Sequence, residues 1–190
     1  MRYYERRLPH WDVIDKKVFV TFRLHGSLPA CRIFPPARMT AGEVFVAMDR
    51  LLDKAENGPV YLRHPEVAKI VVNAILDGDR RFRRYDLHAF VVMPNHVHLL
   101  VTSLVQLSAW VGPLKGFTGR EAGKILGLRT GTPFWLDESY DHIVRNDEEA
   151  RNIARYIERN PVKAGLADSP ELFPYSSGTP GGSPAAGQKP

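Results

Sequence analysis

Two histidines set two apart, His96 and His98, interrupt the apolar run from Phe90 to Val101. In a strand, residues i and i+2 point to the same face. The two imidazoles then stand side by side while Val97 turns the other way. Such a pair can hold a divalent cation on the face of a sheet, and a catalytic metal needs a further protein ligand plus open positions. A His-x-His pair alone is weak evidence for that, because exposed or hydrogen-bonded histidines are common. Farther along, Tyr156 and Asn160 lie four apart in a stretch with helical periodicity and so share one helix face. An asparagine offers an amide oxygen to a metal, and a tyrosine offers a phenol that can attack phosphorus. The residues alone leave two readings open: a ligand and a nucleophile, or a tyrosine edging the core and an asparagine ending a helix before Pro161.

The elements that must position these groups follow from periodicity and punctuation. Residues 18–24 are rich in β-branched and aromatic side chains and read as a first strand, ended by Gly26-Ser27-Leu28-Pro29. From Thr40 to Glu56 the pattern turns helical, with Val44, Met48, Leu51 and Leu52 as its apolar side and Asn57-Gly58-Pro59 as its stop. His64-Pro65 opens a second helix, with Val67, Ile70, Val71, Ala74 and Ile75 inside and Gly78 as its expected C-terminal cap. Two strands, 85–93 and 96–102, flank Pro94-Asn95, which reads as a tight antiparallel turn. Gly112-Pro113 is expected to break the chain and begin a helix whose apolar side is Leu114, Phe117, Ile125 and Leu128, with Gly127 or Gly131 ending it. Residues 132–144 read as a last strand, in which His142 is a third histidine, read as a sheet-surface side chain. Asn146-Asp147-Glu148-Glu149 is a helix start, with Asn146 capping and Glu149 at the reciprocal position. Ala150, Ile153, Ala154 and Ile157 form the buried stripe, and Pro161 is expected to end the helix near Asn160.

The 190 residues carry a net charge of +5 and a pI near 9.4, mild support for a polyanionic partner. Basic groups recur in three places: Arg6 and Arg7 in an aromatic N-terminal arm, Arg81, Arg83 and Arg84 around Phe82, and Lys115, Arg120 and Lys124 in one helix. Each could meet phosphates, or be a solvated face. Cys31 is the sole cysteine, which excludes an internal disulfide and a cysteine-rich zinc site and fits a reducing cytoplasm. No signal peptide or membrane span is visible. Residues 1–175 read as one domain and 176–190, made largely of Gly, Pro, Ser and Ala, as a flexible tail.

The pair of segments Pro94-Asn95-His96-Val97-His98-Leu99-Leu100-Val101 and Tyr156-Ile157-Glu158-Arg159-Asn160-Pro161-Val162-Lys163-Ala164-Gly165-Leu166 resembles the single-tyrosine HUH transposases. More narrowly it resembles the REP-associated tyrosine transposases. Arg7-Leu8-Pro9-His10-Trp11, Phe19-Val20-Thr21-Phe22-Arg23-Leu24 and Phe134-Trp135-Leu136-Asp137-Glu138 carry the same likeness, which spans about residues 3 to 175. The resemblance implies an α+β fold, a ferredoxin-like or RRM-like antiparallel sheet backed by helices, with the histidine motif on a central strand. It implies that His96, His98 and Asn160 bind Mg²⁺ or Mn²⁺ and that Tyr156 is the nucleophile. The implied reaction is cleavage and rejoining of single-stranded DNA at REP-type hairpins through a 5′-phosphotyrosine, by a cytoplasmic, nucleoid-associated protein that acts off the membrane as a monomer, with a dimer as the alternative. A hairpin-binding module without catalysis and a replication-initiator nickase are the competing readings.

Overall fold

A computed structural model describes residues 2–5, 9–28, 41–54 and 58–179, with residues 2–5, 9–12 and 41–45 described in backbone only. Among the described residues, six strands and four α-helices follow one another as β1 (Arg2–Glu5), β2 (Pro9–Asp12), β3 (Lys16–Leu24), α1 (Ala41–Lys54), α2 (Pro65–Arg80), β4 (Tyr85–Val92), β5 (His96–Ser103), α3 (Ser108–Ile125), β6 (Trp135–Ile143) and α4 (Asp147–Lys163). β1 and β2 form a separate two-stranded antiparallel hairpin. The other four make one antiparallel sheet in the order β4-β5-β3-β6. Strand–helix–strand–strand–helix–strand in that order is the ferredoxin-like arrangement, so the fold class expected from the sequence holds. It places β5, with both histidines, in the interior of the sheet.

Alternation along β5 divides the core. Val97, Leu99 and Val101 face one layer, packed with Val67, Val71 and Ile75 of α2 and Trp110, Val111 and Leu114 of α3. Leu100 faces the other layer with Phe19, Ala89, Val91 and Ile157 of α4. His96 and His98 share that second face by the strand's period. The site therefore lies under α1 and α4, and α2 and α3 back the opposite side.

Three helix boundaries differ from the sequence reading, each because packing outweighs a local signal. Gly78 does not end α2; the helix continues to Arg80, and Gly78 is buried where a Cβ would fall 2.2 Å from the Tyr85 hydroxyl. That hydroxyl donates to the Ile75 carbonyl at 2.8 Å, which is why the space is reserved. Gly112-Pro113 does not start α3; the helix begins at Ser108 and runs through the proline. An interior proline costs about 3 kcal/mol, but burying Trp110 and Val111 returns roughly 1.5–3 kcal/mol each, and the Trp110 indole also donates to Ser103 at 3.0 Å. The apolar side of α3 shifts accordingly: Thr118 and Ala122 are buried, whereas Phe117 and Ile125 are exposed. Gly127, in left-handed conformation, follows the helix as expected. Finally, α4 passes through Pro161 to Lys163, and Ile157, Asn160 and Pro161 are all buried. The start of α4 is as read: Asn146 Oδ1 accepts from the Glu149 amide at 2.8 Å, although Glu149 reaches back to the Arg145 amide rather than to Asn146.

The segment after α4 returns along the sheet. Ser176 bridges to Val91, and the Ser177 amide donates to the Phe90 carbonyl at 2.9 Å. Both serines are buried, so residues 176–177 cover the outer edge of β4 where the sequence suggested a free tail. Replacing Gly78 with alanine is expected to destabilise the fold by about 1–3 kcal/mol through overpacking against Tyr85. Urea unfolding measures this, and a neutral substitution would contradict the close approach.

Candidate active site

Each histidine is oriented by a neighbour that occupies its Nδ1. His98 has Thr21 beside it in register on β3, and Thr21 Oγ1 lies 2.7 Å from His98 Nδ1. His96 Nδ1 lies 2.7 Å from Asn95 Oδ1, an acceptor, so the ring proton sits on Nδ1 and the Nε2 lone pair points away. Asn95 also donates through Nδ2 to the Leu52 carbonyl at 3.0 Å. The turn residue thus fixes a histidine tautomer and ties the β4–β5 turn to α1. Both rings are fully buried, with centroids 4.6 Å apart.

The carboxylate of Asp49 on α1 completes the cluster. Its Oδ1 lies 3.0 Å from His98 Nε2 and 3.7 Å from His96 Nε2. Its Oδ2 accepts a hydrogen bond from the Tyr156 hydroxyl of α4. Tyr156 is further set by its ring contacts, 5.8 Å from the His98 ring and edge-on to Phe19 at 6.4 Å. Lys163, two turns along α4, reaches Asp53 Oδ2 at 2.7 Å and Asp49 Oδ2 at 3.8 Å, and lies over the Tyr156 ring at 5.5 Å. Asn160 follows Tyr156 by one turn and is fully buried, and neither atom of its amide has a hydrogen-bond partner among the described residues.

Burial and charge set the protonation of these groups. Desolvation, followed by the neighbouring His98, pushes His96 down to about 3, so it is neutral and able to ligate at physiological pH. Burial works against ionising Asp49, but the adjacent histidines and Lys163 outweigh it and hold the carboxyl below its usual range. Asp53 goes the other way, raised by burial and by the charge of Asp49.

Asp49, His96 and His98 place one donor atom each within 4.8 Å of one another. His96 Nε2 and both amide atoms of Asn160 are buried without hydrogen bonds among the described residues. Buried polar atoms rarely go unsatisfied. Two imidazoles with a carboxylate and an amide oxygen form a donor set suited to a divalent cation such as Mn²⁺ or Mg²⁺, so the residues fit a metal. Tyr156 itself opens onto two shallow clefts along α4, and the one of about 390 Å³ is lined by Arg155, Arg159 and Lys163.

Residues 66–160 match the family described as transposase IS200 like. The chain belongs to the IS200-like transposase family. The matched span includes both histidines and ends on Asn160. Within the family, the chain is 29% identical over 102 residues to the REP-associated tyrosine transposase of Escherichia coli K12, covering 52% of this chain and 57% of that protein. It thus spans little more than half the length of that curated relative. A solved structure of a REP-associated tyrosine transposase bound to a REP hairpin superposes with a TM-score of 0.53 at 18% identity, over 93% of this chain and 82% of the other. That likeness supports the shared fold.

Among the residues expected from sequence, His96, His98 and Tyr156 converge on one carboxylate, and Asn160 is buried beside Tyr156 on α4. Asp49 was not foreseen. Its signal was present: an acid between Met48 and Leu52 on the apolar side of a helix, with a second acid, Asp53, four residues on. His142 pairs with Glu149 at 2.9 Å and takes no part in the centre, as expected. Arg6 and Arg7 lie outside the described residues. Arg81, Arg83, Arg84, Lys115, Arg120 and Lys124 belong to the α2–β4 turn and α3, on the side of the sheet away from Tyr156. No helix among the described residues is long and apolar enough to cross a membrane.

Two outcomes test this geometry. Thr21→Val frees the His98 ring and is expected to weaken Mn²⁺ binding about 10–100-fold by calorimetric titration; unchanged affinity would contradict the orienting role. Because the folded-state value of His96 lies near 3, below its usual 6.5, the unfolded chain binds the extra proton between these values. The metal-free protein should therefore lose stability as pH falls through that window, and His96→Gln should lessen the loss; identical pH profiles would refute the neutral, buried imidazole.

Proposed function

We propose that this protein cleaves and rejoins single-stranded DNA next to hairpins, through a 5′-phosphotyrosine on Tyr156. The observation that carries the reading is the shared carboxylate: one oxygen of Asp49 faces the two histidines and the other accepts from the Tyr156 hydroxyl. His96, His98 and Asp49, with Asn160 as a further ligand, would hold a divalent ion, Mg²⁺ or Mn²⁺. When bound, that ion supplies charge neutralisation at a non-bridging oxygen of the scissile phosphate.

The chain's own groups account for the remaining steps. A phenol with a pKa of about 10 is protonated at neutral pH and needs a base. Asp49 is ionised and already accepts the phenolic hydrogen bond, so the proton passes to it as the Tyr156 oxygen attacks phosphorus. The bond from phosphorus to the 3′ oxygen breaks in line, and the leaving oxygen takes up a proton as a 3′-hydroxyl. The phosphodiester is conserved as the tyrosyl ester, so an incoming 3′-hydroxyl can reverse the step without another energy source. Lys163, Arg155 and Arg159 line the cleft at Tyr156 and suit a single strand's phosphates. The E. coli relative and the hairpin bound in the solved structure support hairpin DNA as the substrate class.

With labelled hairpin DNA and Mn²⁺ or Mg²⁺, the protein is expected to form a covalent adduct on a denaturing gel. Tyr156→Phe should abolish the adduct with hairpin affinity kept. Asp49→Asn should slow its formation roughly 10²-fold or more. An adduct that persists in Tyr156→Phe would refute the nucleophile.

A further inference from the structure

Asp53 is a buried acid that the chemistry above does not use. It lies one turn after Asp49 on α1, so the two carboxylates share a helix face. Across from them α4 presents Tyr156 and, two turns on, Lys163. The seam between the helices therefore has two cross-links. The Tyr156 hydroxyl donates to Asp49 Oδ2, and the Lys163 ammonium donates to Asp53 Oδ2 at 2.7 Å. The side chains of Asp49 and Asp53 are 1% and 7% exposed, whereas that of Lys163 is 45% exposed. The lysine thus has its anchor inside the protein and its outer side in the cleft of about 390 Å³ that also opens on Tyr156.

Side chains on a helix lean toward its N-terminus. Lys163 follows that lean back along α4. Its Nζ comes to 5.5 Å from the centre of the Tyr156 ring and 3.8 Å from Asp49 Oδ2, the oxygen that accepts from the phenol. An ammonium carries three N–H donors in no fixed plane. Asp53 takes one, and 3.8 Å to Asp49 is too long for a hydrogen bond. Donors therefore remain on the side that faces the cleft. Attack on phosphorus brings that atom to within roughly 3.5 Å of the phenolic oxygen, and its non-bridging oxygens then arrive beside the ammonium. A counter-ion for Asp53 alone would not need to stand at the mouth of the cleft next to the phenol.

We propose that Lys163 is a catalytic residue that binds a non-bridging oxygen of the scissile phosphate, and that Asp53 is the positioning residue that holds it beside Tyr156. The inference rests on the Tyr156 cleavage reading above and adds a second seat for the charge that builds on the phosphate. Lys163 gives up no proton and forms no covalent bond; the Tyr156 proton still passes to Asp49. Anchoring on Asp53 removes much of the freedom of the four-carbon stem before DNA arrives. It also sets a cation between two buried carboxylates and an incoming anion, which lowers the repulsion between them.

The contact is read first without cleavage. A labelled DNA hairpin with a single-stranded extension is given a neutral methylphosphonate in place of one phosphodiester at a time, and its affinity is measured by fluorescence anisotropy in EDTA. One position is expected to weaken binding about tenfold in the parent protein and to have no effect in Lys163→Gln, with Lys163→Arg keeping part of the effect. That position should be the phosphate joined to Tyr156 when the adduct formed with Mn²⁺ is mapped. At saturating hairpin, Lys163→Gln should slow adduct formation about 100-fold and Asp53→Asn about tenfold. Each single variant leaves a partner unpaired, so the double variant Asp53→Asn/Lys163→Gln is expected to regain melting temperature while staying as slow as Lys163→Gln. A double variant that recovers the parent rate would make Lys163 a counter-ion only and overturn the proposal. The same methylphosphonate profile in the parent and in Lys163→Gln would overturn it too. Absence of any adduct in the parent would instead refute the cleavage reading, with the affinity profile still deciding whether Lys163 meets a single phosphate.

Discussion

A buried carboxylate must be compensated, and the architecture of this protein around its active site follows from that requirement. Asp49 is 1% exposed. Left alone, such a charge would be neutralised by protonation or expelled. Here two elements converge on it: β5 brings two imidazoles, and α4 brings a phenol and a lysine ammonium. Each partner is in turn held by something else. Thr21 and Asn95 hold the rings, Phe19 holds the tyrosine edge-on, and Asp53 holds the ammonium. In the reaction proposed for Tyr156, a phenol held through a network of this kind would meet the phosphate with little reorganisation.

The two-sidedness of the sheet divides the labour. A period of two along β5 sends the histidines to one layer and Val97, Leu99 and Val101 to the other. The second layer, under α2 and α3, carries most of the large apolar core. The cluster around Asp49 thus lies on the face of the sheet opposite the larger part of the apolar core.

Much of this was legible in the sequence. The His-x-His strand, the Tyr156–Asn160 spacing and the α4 cap are local patterns, and local patterns survive into the fold. Asp49 was harder to read, because an acid on an amphipathic helix is ordinarily solvent-facing and its partners are remote in sequence. Pro113 and Pro161 were read as helix breakers, yet both sit inside helices held by tertiary burial. Gly78 looked like a cap because its real constraint, the Tyr85 ring, comes from the next strand. The errors share a cause: a local propensity of a few kcal/mol is outweighed when several buried side chains demand otherwise.

The central claim is that His96, His98 and Tyr156 belong to one metal-dependent centre organised on Asp49. Anomalous diffraction from crystals grown with Mn²⁺ tests it most directly. The account predicts a single strong peak bonded to His96 Nε2 and His98 Nε2, with Asp49 or Asn160 as a further protein ligand and the Tyr156 hydroxyl beside it. Manganese bound elsewhere, or a peak at the histidines with Tyr156 turned away from it, would contradict the claim.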